Sequence, residues 1–280
     1  KGKESGGTAR KQEQFGYGYD AAWNLNKRTN NALIHTFNAN NLNELTTITR
    51  ANSYTVAGSV STNPTSVTVK DNANSAVAAT VYGDNTFARD SVTLLDGNNT
   101  FTAIAQDNLS RKDTNVVTAY LPATVTHYYD VRGNLTNDGR RVFYYDDENQ
   151  LTSVTVSNAW RSEFSYDGML RRRIRKEYTW QASAWLKTNE VRYVYDGRLV
   201  VQERDANNLA LVSYTQGNDL SGSLQSAGGI GGLLARTDNG QLLAGSSLAH
   251  AYYHADGNGN ITALVNANQL LAAKYAYDPY

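Results

Sequence analysis

Cysteine is absent, which excludes disulfides and thiolate chemistry. Proline occurs 3 times and methionine once in 280 residues, and Lys+Arg balance Asp+Glu at 26 each. A chain with no net charge carries no global field toward nucleic acid or anionic membrane. No run approaches the ~18 apolar residues needed to span a bilayer. The opening stretch, KGKESGGTARKQEQ, is polar and has neither an initiator Met nor the apolar region of a signal peptide. These absences suit a cytosolic protein, and equally a large secreted bacterial protein whose core needs no staples. The text stops at YAYDPY without a terminating pattern and reads as a stretch of a longer protein, so the missing signal says little about location.

What is abundant is tyrosine (19, against 6 Phe), glycine (22) and asparagine (30). Tyr suits half-wet strands, and Asn and Gly suit turns with positive φ. The composition predicts many short strands joined by many tight turns.

A Tyr-Asp pair recurs at Tyr19-Asp20, Tyr129-Asp130, Tyr145-Asp146, Tyr166-Asp167, Tyr195-Asp196 and Tyr277-Asp278. Degenerate versions are Phe37-Asn38 and Tyr253-His254, and Tyr214 subdivides the longest C-terminal interval. Two longer gaps apart, the spacing is about 20 residues with variable insertions, the signature of a stacked or coiled repeat. In YYDVRGNLT, Asp130 is placed to accept a backbone N–H two residues on, and Gly133 to supply the left-handed residue that ends the turn. Each unit then reads as a hairpin: aromatic strand, tight turn, Leu-led strand. FSYDGMLRRR and YVYDGRLVV carry Asp-Gly, the signal of a shorter turn. A lone hairpin is marginal, so such units must stack.

Between about Tyr54 and Pro122 the pairs vanish, and period-two alternation with turns every 8–12 residues predicts a small sandwich. Val67, Val69, Phe101, Ala103, Ala105 and Val116 are its expected inward positions. Removing about 70 residues there leaves an interval near 22, which restores the repeat.

The stretches YGYDAAWNL, YYDVRGNLT, YVYDGRLVV and YHADGNGNITALVNANQLLAAKYAYDPY resemble the RHS/YD-repeat family. That family includes bacterial RHS proteins, toxin-complex C components and, more distantly, teneurins. The tract from Asp219, with DLSGSLQSAGGIGGLLA, is similar to the repeat-associated core of bacterial RHS proteins, and LLDGNNTFTAIAQD resembles bacterial immunoglobulin-like domains. The resemblance implies an all-β fold, a spiralling antiparallel hairpin strip carrying an inserted Ig-like β-sandwich. The segments expected are repeats over 1–50, the insert over 51–122, repeats over 123–218 and the start of the core over 219–280. In the toxin relatives the shell encloses a C-terminal effector, and aspartates of a closing core often cleave it off. That region would follow YDPY, so no cleavage residue carries over.

Other constellations are weighed against plainer readings. The repeated aspartates sit where turns need them, with no partner carboxylate for acid catalysis. DGNGN at 256–260 imitates a calcium loop but has Ile261 and Ala267 where Gly and Glu are required. His250 and His254 have metalloprotease spacing without the glutamate. AGGIGGLLA has the glycines of a phosphate loop without its Lys, and the text does not choose between a short helix and a loop plug. Arg171, Arg173 and Arg175 would share one strand face, opposite Leu170, Ile174, Tyr178 and Trp180. With Trp180 and Trp185 nearby they are candidate polyanion-binding residues; a solvated face balanced by Glu163 and Glu177 explains them as well.

No enzyme activity, catalytic residue, metal or cofactor is expected in this stretch. The leading expectation is a structural segment of a β-shell in a secreted or cell-surface bacterial protein. Its partners would be the rest of the shell and a C-terminal toxin effector. The alternative is an extracellular adhesion module that holds glycans or cell-surface proteins through the insert and the tyrosine-rich wall. Nucleic acid is not an expected partner.

Overall fold

The computed structural model describes residues 1–275 and 277; Asp278, the last predicted anchor acid, lies outside them. Among the described residues the regular elements are β-strands and one short helix, Asn239–Leu243. The fold is all-β and antiparallel. No helix among the described residues is long and apolar enough to cross a membrane. The chain divides into two compact units, Lys1–Arg140 and Arg141–Tyr280.

In the first unit, Phe15–Tyr19, Leu25–Asn30, Leu33–Ala39 and Leu45–Arg50 pair in sequence order, and Thr124–Thr126 closes the sheet beside Leu45–Arg50. The chain therefore leaves this sheet at Arg50 and returns at Ala123, where Arg50 N–H donates to the Ala123 carbonyl at 3.0 Å. The strands between form two sheets. Ser53–Ser59, Thr86–Thr93 and Thr80–Val81 make one; Lys112–Leu121, Gly97–Gln106, Ser66–Lys70 and Ala76–Ala78 make the other. Val67, Val69 and Phe87 form one buried cluster, and Val92, Leu94 and Phe101 a second into which Leu33 enters from the hairpin sheet. Ala103 and Ala105 pack, partly buried, against the first. Val116 does not face inward: it pairs with Thr102 and is 59% exposed, because inwardness follows Phe101 and its partner Val117. Salt bridges from Arg10 to Asp84 (2.8 Å) and Lys11 to Asp90 (2.8 Å) fasten the N-terminal stretch to the sandwich.

In the second unit, eleven strands from Val142–Tyr145 to Leu271–Lys274 each pair with their sequence neighbours. The described residues of this sheet form no buried apolar cluster; both clusters belong to the first unit. The ladder and the contacts between successive hairpins thus carry this unit.

Candidate functional site

The aspartate turn recurs with one geometry. At Asp130 the backbone N–H donates to the Asn134 carbonyl (2.9 Å), and Gly133 N–H donates back to the Asp130 carbonyl (3.0 Å). Oδ1 of Asp130 accepts from Arg132 N (2.9 Å) and Asn134 N (2.9 Å), and Oδ2 accepts from the Asn134 side chain (3.0 Å). Gly133 has φ +82°. The same four backbone and Oδ1 bonds close turns at Asp20, Asn40, Asp107, Asp146, Asp167, Asp205, Asp256 and Asn266.

Three of the expected turns change at this level, those read at Asp167, Phe37 and Tyr253. Asp167-Gly168 is not a short turn: the left-handed residue is Leu170 (φ 61°), and the loop matches that at Asp130. The short turn occurs at Asp196, whose strand neighbours pair Asp196 with Leu199 around Gly197 (φ 57°). The degenerate anchors shift by two, since the turn residues are Asn40 and Asp256, preceded by Ala39 and Ala255. Phe37 and Tyr253 occupy the position three before the turn residue, the place held by Tyr193 and Phe164 relative to Asp196 and Asp167.

These carboxylates accept from the backbone of their own turns. The side chains of Asn24, Asn134 and Asn260, followed by backbone N–H groups, hold Asp20, Asp130 and Asp256 below the ordinary 3.8. Arg171 holds Asp167 down to about 2. A carboxylate depressed by folding stabilises fully above its unfolded value, and that stabilisation is lost as pH falls through the folded one. The turns should therefore weaken between pH 3.8 and lower values, reaching about 2 for Asp167. Asn40 and Asn266 close the same turn without a titrating group. Asp130→Asn should accordingly be somewhat less stable than wild type at pH 7 and lose less stability from pH 4 to pH 2 in urea titrations. An unchanged acid slope would contradict this.

The tyrosine before the turn links one hairpin to the one before it. The hydroxyl of Tyr166 donates to the Leu151 carbonyl (2.8 Å), Tyr195 to Arg172 (2.8 Å) and Tyr277 to Ile261 (2.7 Å). Each acceptor lies five residues after an earlier turn residue, namely Asp146, Asp167 and Asp256. Tyr129 obeys the same rule across the sandwich, donating to Leu45 at 2.9 Å, five residues after Asn40. Tyr145 holds the equivalent position before Asp146, and Tyr19, on the outermost strand of its sheet, is 47% exposed.

The glycine-rich stretch is a loop, not a helix. Gly217 N–H donates to Gly232 O (2.7 Å) and Leu220 N–H to Ile230 O (2.9 Å), closing its neck. Asp219, 6% exposed, organises the interior. Its Oδ1 accepts from Ser221 N (2.9 Å) and the Ser221 hydroxyl, and its Oδ2 from Ala227 N (2.7 Å) and Gly229 N (3.2 Å). The Ser221 hydroxyl, then these backbone donors, bring the carboxyl down to about 2. The loop lies against two hairpin tips. Gln225 accepts from Arg198 N (2.9 Å) and donates to Asp196 O (3.1 Å), and Gly259 and Gly231 are in backbone contact. Sequence reasoning missed Asp219 because its donors stand eight and ten residues away.

Arg171, Arg173 and Arg175 do not form one free stripe. Arg171 precedes its strand, Arg172–Gln181, and its guanidinium binds Asp167 (2.8 Å) and Gly197 O (2.6 Å). Arg173 lies 3.5 Å from the same Asp167, and Arg175 3.2 Å from Glu177. Leu170 is in the turn rather than on the opposite face. Arg171 stands 5.1 Å from the Tyr195 ring, and the basic group beside the tryptophans is Arg161, 4.5 Å from the Tyr178 ring and 5.2 Å from that of Trp185, which stands edge-on to Trp180. Register alone brings Arg161 there, opposite Tyr178. His250 bonds Thr237 Oγ1 (3.0 Å), and no three His, Asp or Glu side chains converge among the described residues.

Fold and turns together define an all-β chain of antiparallel hairpins, joined tip to strand by tyrosines. No protein-family model matches the chain. The tRNA3(Ser)-specific nuclease WapA of Bacillus spizizenii is 30% identical over 156 residues, 54% of this chain and 6% of that protein. The tRNA nuclease WapA of Bacillus subtilis (strain 168) is 30% identical over 157 residues, again 54% and 6%. The chain thus spans about 6% of the length of these curated relatives. The crystal structure of TcdB2-TccC3-TEV aligns with 95% of this chain and 13% of that one, at a TM-score of 0.35 and 11% identity. The sequence similarity supports an RHS-related protein.

Proposed function

We propose that this chain is a wall segment of an RHS-type β-shell in a large secreted or surface bacterial protein, enclosing or presenting a C-terminal effector. The tyrosine linkage supports this reading most directly. Four tyrosines, Tyr129, Tyr166, Tyr195 and Tyr277, each donate a hydroxyl to the carbonyl five residues after an earlier turn residue, and the first of these bonds joins Leu45 to Tyr129 past the whole sandwich. A sheet whose described residues form no buried apolar cluster, built by stacking, suits a wall. The turn carboxylates accept the backbone N–H groups that close their turns, a structural use that this reading expects of them. On this reading the effector is a separate segment, and the names of the curated relatives make a nuclease the first class to assay for. The test uses the full-length protein under limited proteolysis. The segment that follows the core should resist cleavage in the native protein and become labile in denaturant. A segment cut equally fast in both states would sink the proposal.

A further inference from the structure

The sandwich is open along one side. Its two sheets are unequal, three strands against four, and the edge strands Ser53–Ser59 and Lys112–Leu121 line one cleft of about 470 Å³. Phe101 faces inward and is 5% exposed; its cross-strand partner Val117 shares that face yet is 56% exposed. Asn115 and Asp113, opposite Ala103 and Ala105, face the same way and are also exposed. Farther along the strand, Ala119 and Leu121 are packed against the core. One half of this inner face therefore has a covering layer and the other half has none.

The missing cover would sit beside Val56–Ser59. These residues pair on one side only, with Thr86–Arg89, and make no other backbone bond among the described residues. An unpaired strand edge is a template for another strand. Gly58 keeps the inner surface low there, since a Cβ would lie 2.8 Å from the Phe87 ring. Asp113 fixes the charge of what would enter. Its carboxylate accepts only the adjacent Thr114 N–H (2.8 Å) and has no cation partner among the described residues, while Arg111 is taken by Asp107. Lys112 is directed to the opposite face by strand alternation.

We propose that this edge accepts an extended segment of a partner protein as an added strand next to Val56–Ser59. Its inward apolar side chains cover Val117, Ala103 and Ala105, and a Lys or Arg reaches Asp113. The site is independent of the wall function, because it lies wholly within the sandwich.

The 280-residue chain is titrated against a fluorescein-labelled peptide as long as strand Ser53–Ser59, seven residues. The peptide is Thr-Val-Thr-Lys-Thr-Val-Thr, which puts both valines and the central lysine on one face. Saturable anisotropy is expected, weakened about tenfold or more by Asp113→Lys and regained by that variant with a central glutamate, a change of about 1.4 kcal/mol per decade. A peptide N-methylated at alternate residues should not bind, as it cannot complete a ladder. The proposal is overturned by no saturation up to about 1 mM (a free energy of about −4 kcal/mol), by equal binding of the N-methylated peptide, or by indifference to Asp113→Lys. A dimer of the chain alone that Asp113→Lys abolishes would put a second copy in the cleft and overturn it too.

Discussion

Gly232→Ala should destabilise the second unit by about 3 kcal/mol, the upper part of the range for overpacking a closed site. Gly232 is not in the left-handed region, so its backbone would accept alanine; the obstacle is space. A Cβ there would stand 2.8 Å from Gly217 O, 3.3 Å from Asp219 N and 3.3 Å from Gly229 O. All three are backbone atoms, and all belong to the neck and interior of the Asp219 loop. Relief requires parting the Gly217–Gly232 bond, which leaves the buried Asp219 carboxylate with its donors displaced. Gly168 is the control, with nothing near its Cβ and no positive φ. Gly168→Ala should be neutral or stabilise by up to about 1 kcal/mol. Urea midpoints followed by tryptophan fluorescence distinguish the two. Equal midpoints would show that the loop neck is not a constraint.

The second large effect comes from excising the sandwich. Joining Arg50 to Ala123 through an Asn-Gly turn should leave the hairpin sheet of the first unit folded. Those two residues already face each other in an antiparallel ladder, and a two-residue turn of that kind suits such a pair. Thr124, Val125 and Thr126 would keep their partners Thr49, Ile48 and Thr47, and Tyr129 its bond to Leu45. Excision uncovers Leu33 and removes Asp84 and Asp90, the sandwich partners of Arg10 and Lys11, so Leu33→Thr belongs in the same variant. Hydrogen exchange should find the amides of Arg50 and His127, which donate to Ala123 O and Thr46 O, protected within about tenfold of the intact chain. Exchange at unfolded-chain rates would mean that the sandwich is needed to hold the sheet.

Local chemistry was readable where it acts over a few residues. The Asp130 turn and its left-handed Gly133 follow from the text because donor, acceptor and hinge lie within five positions. The same reasoning misplaced the turn at Asp167, since Gly168 advertised a tight turn while the left-handed residue is Leu170 and the loop closes with the four bonds seen at Asp130. Phe37 and Tyr253 misled because a strand shows two aromatic positions on one face, one and three residues before the turn, and where Ala39 or Ala255 fills the nearer, only the farther is visible. Val116 was lost to period-two counting, which finds two faces and does not say which is inner. The Asp219 loop and the Arg161 aromatic contact depend on residues brought together by register and closure, and no window of sequence contains them.

The four-bond turn has an evolutionary consequence. It asks little of its residues: one Asp or Asn as acceptor, and at the left-handed position glycine, asparagine, serine, glutamine, leucine or even tryptophan. Because strands of the second unit pair with sequence neighbours, adding or removing a whole hairpin preserves the face of every residue beyond it, whereas a single-residue slip inverts them. The unit of change that such a sheet tolerates is thus the hairpin. Its length can change in whole units, and the strands between Arg50 and Ala123 leave the pairing of Leu45–Arg50 with Thr124–Thr126 in phase.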